Sequence, residues 1–289
     1  MAKRISLSQY KSKLRQLQNK QKQAINKYNQ EVRKYNQKVN QAINKYNQDV
    51  RAHNSRVRAN RQRLITEMNK LANSNSTRHV VYHRSVVSLN NRYVNLDSRS
   101  ESGSLDSNYD YYLDLSEKET ANSAEVLNSL SHTGDEDSNV YSLTSTLNDE
   151  LIAISIDLDN RWKGAVFSLN PKNPDAARHF CTSAREVFTQ ILEIKAPDNT
   201  VISQIPNCDT TEYGKPTRRA KIKYLLHQKG LFDEEFGNFV DEDVNNILEL
   251  FRVFNDGTHG SSGTYNFQQL VSIKKRVEDG IIFLSNLVQ

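Results

Sequence analysis

A chain of 289 residues, 36% hydrophobic and with a mean hydropathy of −0.74, has room for an ordinary core but leaves part of its length outside a packed globule. It contains no run of about eighteen apolar residues, and the opening "MAKRISLSQYKSKLRQL" is charged where a secretory signal needs an apolar segment, which predicts a soluble, cytoplasmic protein without a membrane span. Cys181 and Cys208 show neither zinc-ligand spacing nor the numbers of a disulfide framework, so reduced thiols and no metal site are expected.

The net charge of +5 conceals a division. Residues 1–72 hold 18 Lys and Arg against Glu31, Asp49 and Glu67, a balance of +15, which leaves −10 for the remainder. Between Asp97 and Asp159 stand 15 acids against Arg99 and Lys118. Such a basic arm joined to an acidic middle predicts contact with a polyanion, with the acidic part of the same chain, or with a second copy.

The basic arm repeats itself. "QAINKYNQEVR" at 23–33 returns as "QAINKYNQDVR" at 41–51, a period of 18 residues. Ile25, Tyr28, Val32, Tyr35, Val39, Ile43, Tyr46, Val50, His53 and Val57 follow in steps of three and four, continued by Leu64, Met68 and Leu71. This spacing sets them on one face of a helix. Five turns in 18 residues is the period of a helix without supercoil. No Gly or Pro interrupts before Gly103, so a helix from Leu7 to Leu71, roughly 100 Å long, is expected to end at "NSNST", residues 73–77. Rich in Asn and Gln, it has weak intrinsic propensity and needs a partner along its stripe. Residues 1–75 therefore read as a basic coiled-coil helix that makes a homodimer or higher homo-oligomer through residues 7–71. A tyrosine platform for single strands, with lysines along the backbone, is the competing use of the same face.

Residues 76–140 form the second region. Tyr82, Val86, Leu89, Tyr93 and Leu96 have helical spacing and can fold back on the first helix, followed by the acidic, serine-rich connector "DSRSESGSLDSNYDYYLDLSEKE". Within it, "SEKE" predicts a short helix capped by Ser116, with Glu119 reaching back. The acidity is either that of a solvated linker or a mask over the basic arm.

Residues 141–289 read as an all-α domain, with helices at 146–168, 173–194, 217–230, 241–256 and 264–287. Asn173 as cap and Pro174 at the first helical position start the second of these. "PD" at Pro174 and Asp175 with "EIK" at Glu193 to Lys195 mimics a metal-nuclease signature. On one helix its ends stand about 27 Å apart and cannot share an ion.

A second candidate lies in "FRVFNDGTHG", residues 251–260. Val244, Ile247, Leu248 and Phe251 share one face of a helix whose last turn carries Arg252. Gly257 can supply the left-handed stop, and His259 beyond it is free to turn back toward Arg252 and Asn255. The plain alternative is an arginine that complements the helix dipole and a histidine in a surface loop.

Together with "NPDAARHFCTSAREVFTQIL", this stretch resembles the HEPN group of small helical ribonucleases, and more narrowly the predicted nucleases found near prokaryotic Piwi-type genes and other phage-defence loci. The likeness covers roughly residues 145–287. It implies metal-independent RNA cleavage, with no cofactor, in a groove between two subunits, and a defence-system partner protein. Arg252 and His259 match the motif residues; Val253 stands where an asparagine is usual, and Asn255 substitutes for it by proximity. Arg185 and Glu186 occupy the region of the auxiliary polar residues, where an ordinary ion pair fits equally. Arg218, Arg219, Lys221 and Lys223 form a basic helix that can guide RNA or simply face solvent. A non-catalytic assembly or nucleic-acid-binding protein with a degenerate HEPN-like domain is the rival reading.

Overall fold

The computed structural model describes residues 5–73, 79–103, 109–131, 145–147, 149–170, 173, 175–256 and 267–288. Those residues form helices α1 (Leu7–Ala72), α2 (Val80–Glu101), α3 (Asp110–Ser131), α4 (Ile156–Ser168), α5 (Ala176–Lys195), α6 (Asp198–Gln204), α7 (Arg218–Gln228), α8 (Glu234–Asp256) and α9 (Phe267–Val288), with no strand among them. The protein is all-α.

The chain divides into two compact units, Met1–Arg58 and Ala59–Gln289. In the first, α1 keeps its apolar stripe in solvent: Tyr28, Tyr35 and Tyr46 are 66–69% exposed, and Val32, Val39 and Val50 are 37–38% exposed. The single seam expected from Leu7 to Leu71 is therefore not one surface. Leu64 and Leu71, at the C-terminal end of the same helix, are buried in the core of the second unit.

In the second unit the middle region is part of the bundle. Antiparallel to α8, α2 sets Tyr82 against Asn246 at one end, while at the other the Arg99 guanidinium grips the Asp233 carboxylate at 3.0 and 2.6 Å. The five residues Tyr82, Val86, Leu89, Tyr93 and Leu96, read from spacing as one apolar face, are all buried. Antiparallel to α9 runs α3, with Glu119 and Ser123 bonded to Arg276 and Leu130 accepting from Gln269. Ser116 is not a helix cap: α3 already begins at Asp110, and the Ser116 hydroxyl donates to the Tyr112 carbonyl at 2.8 Å. The helix extends upstream because Tyr112, Leu113 and Leu115 pack on the core. Acids of this region meet the end of the basic helix inside the unit. Arg61 lies 2.5 Å from Asp97 and 3.6 Å from Glu117, and Arg63 pairs with Glu125.

The remaining helices shift modestly from expectation. Ser155 caps α4 by accepting from the Asp157 amide, so the segment before it is turn rather than helix. The first helical residue of α5 is Ala176, with Asn173 accepting from the Asp175 amide. Thr217 caps α7 as a side-chain acceptor. Two full turns before the expected start, α8 begins at Glu234, because Phe236, Phe239 and Val240 bury against the core. Pairing of α4 with α5 is marked by Trp162 edge-on to Phe180 at 5.7 Å.

At the centre a charged group is fully enclosed. The Arg276 guanidinium donates to Glu119 at 2.6 Å, to Asp243 at 2.5 Å and to the Ser123 hydroxyl at 3.0 Å. Asn246 accepts from Ser123 and Tyr82 and donates to Ser85. One cation thus faces two carboxylates, and the Asp243 Oδ2 has no hydrogen-bond partner among the described residues. Burial pushes the Glu119 carboxyl up to about 8, with Arg276 opposing and Asp243 reinforcing the shift. Asp243 is raised as well, again by burial first. A proton held on this pair balances the single guanidinium.

Because the folded pKa of Glu119 lies above its ordinary value of 4.5, the folded chain keeps a proton that the unfolded chain has released. Its contribution to stability is complete below about pH 4.5 and declines as pH rises toward about 8. Urea melts across that window are expected to show this slope in the native protein and a flatter one in Glu119→Gln. Arg276→Met, which leaves two acids buried without their cation, is expected to lose about 3–5 kcal/mol at neutral pH.

Gly280 in α9 has no room for a side chain: an added Cβ would run into Ile247 Cδ1 and crowd Phe188 and the Arg276 guanidinium at 3.2 Å. Gly280→Ala should therefore lower stability by about 1–3 kcal/mol despite the better helix propensity of alanine, as measured by the same urea melts.

Candidate functional site

Three helices of the second unit, α5, α7 and α8, enclose a pocket of about 250 Å³. Its apolar wall follows from two helical stripes. Phe188 and Leu192 come from α5, Val244 and Leu248 from α8, and Pro216 closes the side before α7. Arg185 and Arg218 stand on its rim, and Lys221 and Glu193 complete the lining. Contact between the rings of Phe188 and Phe251, 6.5 Å apart, fixes α5 against α8 at this point.

The cations gathered here differ in what holds them. Arg185 is exposed and makes no ion pair with another described residue. Arg218 is bound through Nε to Asp241 at 3.1 Å and also donates to Asn245. Lys221 is buried, its ammonium 2.8 Å from Glu193 and 2.7 Å from Asp198 in ion pairs without hydrogen-bond alignment. Arg219 donates to Asn238 and lies 3.9 Å from Glu234, and Lys223 lies 3.8 Å from the same carboxylate. The helix "RRAKIK" is thus not a free basic face; each of its four cations has an acidic neighbour. Only Arg218 and Lys221 among them reach the pocket.

Arg185 and Glu186, adjacent in sequence, are parted by the helix. Arg185 faces the pocket, whereas Glu186 turns to α4 and accepts from Arg161 at 2.9 Å. Glu186 is thus in an ordinary ion pair, but with Arg161 of α4 and without Arg185.

Arg252 occupies the last turns of α8 with its side chain 73% exposed, tied to Glu249 at 2.7 Å. Val244, Leu248 and Arg252 follow at intervals of four residues, so the α8 face that lines the pocket continues to this guanidinium. Arg185 stands one turn before Phe188 and lines the pocket with Leu248, one turn before Arg252. Asn255 falls within α8. His259, Gly257, Gly260 and Gly263 lie outside the described residues. What the described part provides is an apolar slot lined by the guanidinium-bearing Arg185 and Arg218, an arrangement suited to a planar ring with an attached anion.

Residues 151–284 match the model of a family described as predicted pPIWI-associating nuclease. The matched stretch is similar to that family of predicted nucleases. No curated protein and no solved structure matches the chain. The nuclease-like stretch takes in Arg185, Arg218, Arg252 and His259, and it omits α1, α2 and α3. Yet Asp243 and Arg276 inside it close their buried cluster with Glu119, Ser123 and Tyr82 from outside. The nuclease-like helices therefore fold against the middle of the chain. Among the described residues, no helix is long and apolar enough to cross a membrane, and no group of His, Cys, Asp and Glu is placed to hold a metal ion.

The pocket was half legible. Its apolar stripes repeat at helical spacing, but the meeting of Arg185 with Leu248 depends on how α5 crosses α8. The buried cluster had a visible signal that went unread: Arg276 sits among Ile273, Val277, Gly280, Ile281 and Leu284 on the apolar face of α9. An arginine in such a stripe calls for acids on the facing helices.

The two kinds of cation predict different losses. Lys221→Ala, which strips two acids of their partner, is expected to lower stability by about 1–3 kcal/mol. Arg185→Ala, which removes no ion pair among the described residues, should leave stability unchanged within about 0.5 kcal/mol, both variants being read by thermal melts.

Proposed function

We propose that this protein is a metal-independent endoribonuclease of the HEPN type, acting in the cytoplasm as an effector of prokaryotic anti-phage defence alongside a partner protein. The observation that carries the proposal is the position of Arg252, an exposed guanidinium at the end of the α8 face that lines the pocket, inside the stretch that matches a nuclease family. Seven residues further on, His259 supplies an imidazole whose ordinary pKa suits proton transfer in both directions near neutrality.

In this scheme an RNA base enters the slot between Phe188 and Leu248, with Arg185 on a flanking phosphate. His259 takes the proton of the ribose 2′-hydroxyl. The 2′-oxygen attacks phosphorus, the bond to the 5′-oxygen breaks, and that oxygen is protonated as it leaves. Arg252 holds the non-bridging oxygens while charge builds on them. The products are a 2′,3′-cyclic phosphate and a 5′-hydroxyl. DNA lacks the internal nucleophile. Two copies, brought together through the first unit, would set two such sites across one groove.

Val253 in place of a polar residue beside Arg252 favours a second reading, a non-catalytic nucleic-acid-binding protein with the same fold. Incubation of the purified protein with mixed RNA in EDTA separates the two. Cleavage leaving cyclic-phosphate ends is expected for the native chain, with Arg252→Ala and His259→Ala each slower by about 100-fold or more. RNA bound without being cut, under every condition in which the chain is folded and dimeric, would establish the second reading.

A further inference from the structure

The exposed stripe of the first unit carries a pattern beyond its apolarity. Along residues 28–57 aromatic and aliphatic positions alternate: Tyr28, Val32, Tyr35, Val39, then Ile43, Tyr46, Val50. One edge of the stripe is charged, with Glu31, Lys38, Asp49 and Arg56 each just before an aliphatic position. The opposite edge is neutral, with Asn29, Asn36, Asn47 and Asn54 each just after a tyrosine or His53. All four charged residues are exposed, and so are the tyrosines and valines between them.

We propose that two copies of this chain associate through α1 as an antiparallel pair centred between Ala42 and Ile43. This deepens the self-association included in the proposed function and does not depend on the catalytic assignment. In that alignment Tyr35 meets the partner's Val50 and Val39 meets the partner's Tyr46, each twice by symmetry, so the layers on either side of the central Ile43–Ala42 contact set a large ring against a small branched side chain. Charged edge then lies beside charged edge. Lys38 falls next to the partner's Asp49 and Glu31 next to the partner's Arg56, four opposite-sign pairs in all.

The alternatives lose these matches. A parallel pair in register stacks tyrosine on tyrosine and valine on valine, and it faces each charged edge with asparagines. It also lays residues 11–27, which hold six Lys and Arg and no acid, beside the same residues of the other copy, whereas the antiparallel pair sets them beside residues 58–74, which hold four Lys and Arg together with Glu67. An antiparallel pair shifted by one heptad, centred on Val39, keeps Val32 on Tyr46 and Tyr28 on Val50 but sets Val39 on itself and Glu31 beside the partner's Asp49. Charge therefore selects one orientation and one register. The 18-residue repeat is the origin of the match, because it copies an acid followed by valine and arginine from 31–33 to 49–51.

Full-length Val39→Cys and Tyr46→Cys proteins, oxidised singly and mixed, test the geometry when crosslinked peptides are mapped by mass spectrometry. The mixture is expected to yield the 39-to-46 disulfide between copies, and neither protein alone a disulfide to itself at that position. A 39-to-39 disulfide would overturn this register, and found together with a 46-to-46 disulfide it would overturn the antiparallel orientation, in both cases leaving self-association intact. A chain that sediments as a monomer at all concentrations, or that is protected along α1 only when RNA is added, would overturn self-association as well. Register is tested by charge exchange: Lys38→Glu should weaken association by about tenfold at low salt, and Asp49→Lys added to it should recover the native affinity. Failure of the second change to recover it would refute the Lys38–Asp49 pairing.

Discussion

The second unit depends on one buried guanidinium. Arg276 has no access to water, so its charge must be met inside the protein, and the residues that meet it come from α2, α3 and α8 as well as from its own helix. An isolated charge there would be far too costly to bury. Burial raises both carboxyls, with Arg276 opposing the shift in each. The cluster gives the bundle a polar address: four helices have to arrive in one relative placement before Arg276, Glu119, Asp243 and Asn246 can all be satisfied.

That placement carries through to the candidate site. Asp243 and Asn246 anchor α8 by the face that looks inward, and the adjacent face, with Val244 and Leu248, is then presented to α5 and α7 as the pocket wall. Phe188 spans the two features. It touches the space beside Gly280 and Arg276 and it lines the pocket, so a glycine in α9 sets how closely α5 can approach. The paired cations of α7 serve the same geometry. Lys221 binds α7 to the end of α5 and the start of α6 through Glu193 and Asp198, and Arg218 binds it to α8 through Asp241 and Asn245, while Arg185 lines the pocket without an ion pair among the described residues.

The first unit obeys a different constraint. Among the described residues its only element is α1, so the stripe has nothing in its own unit to bury against, and the valines and tyrosines remain exposed. Where the same helix enters the second unit, its arginines find Asp97, Glu117 and Glu125 and its leucines find the core. Helical spacing is continuous across the boundary at Arg58 and Ala59, but burial is not.

Periodicity and composition by themselves determined the all-α class, the long basic helix, the stripe in α2 and the placement of Arg252 near the end of α8. These are local properties, set by 3.6-residue spacing within a few turns. Tertiary structure alone decided that the acidic middle belongs to the bundle, that Ser116 lies inside a helix, that Leu64 and Leu71 leave the seam, and that the cations of α7 are already paired. Each of those outcomes turns on which side chain from a distant helix comes within a few ångströms. A stripe or a charge announces that a partner is needed, but its identity is fixed only when the helices pack and every buried polar group must find one.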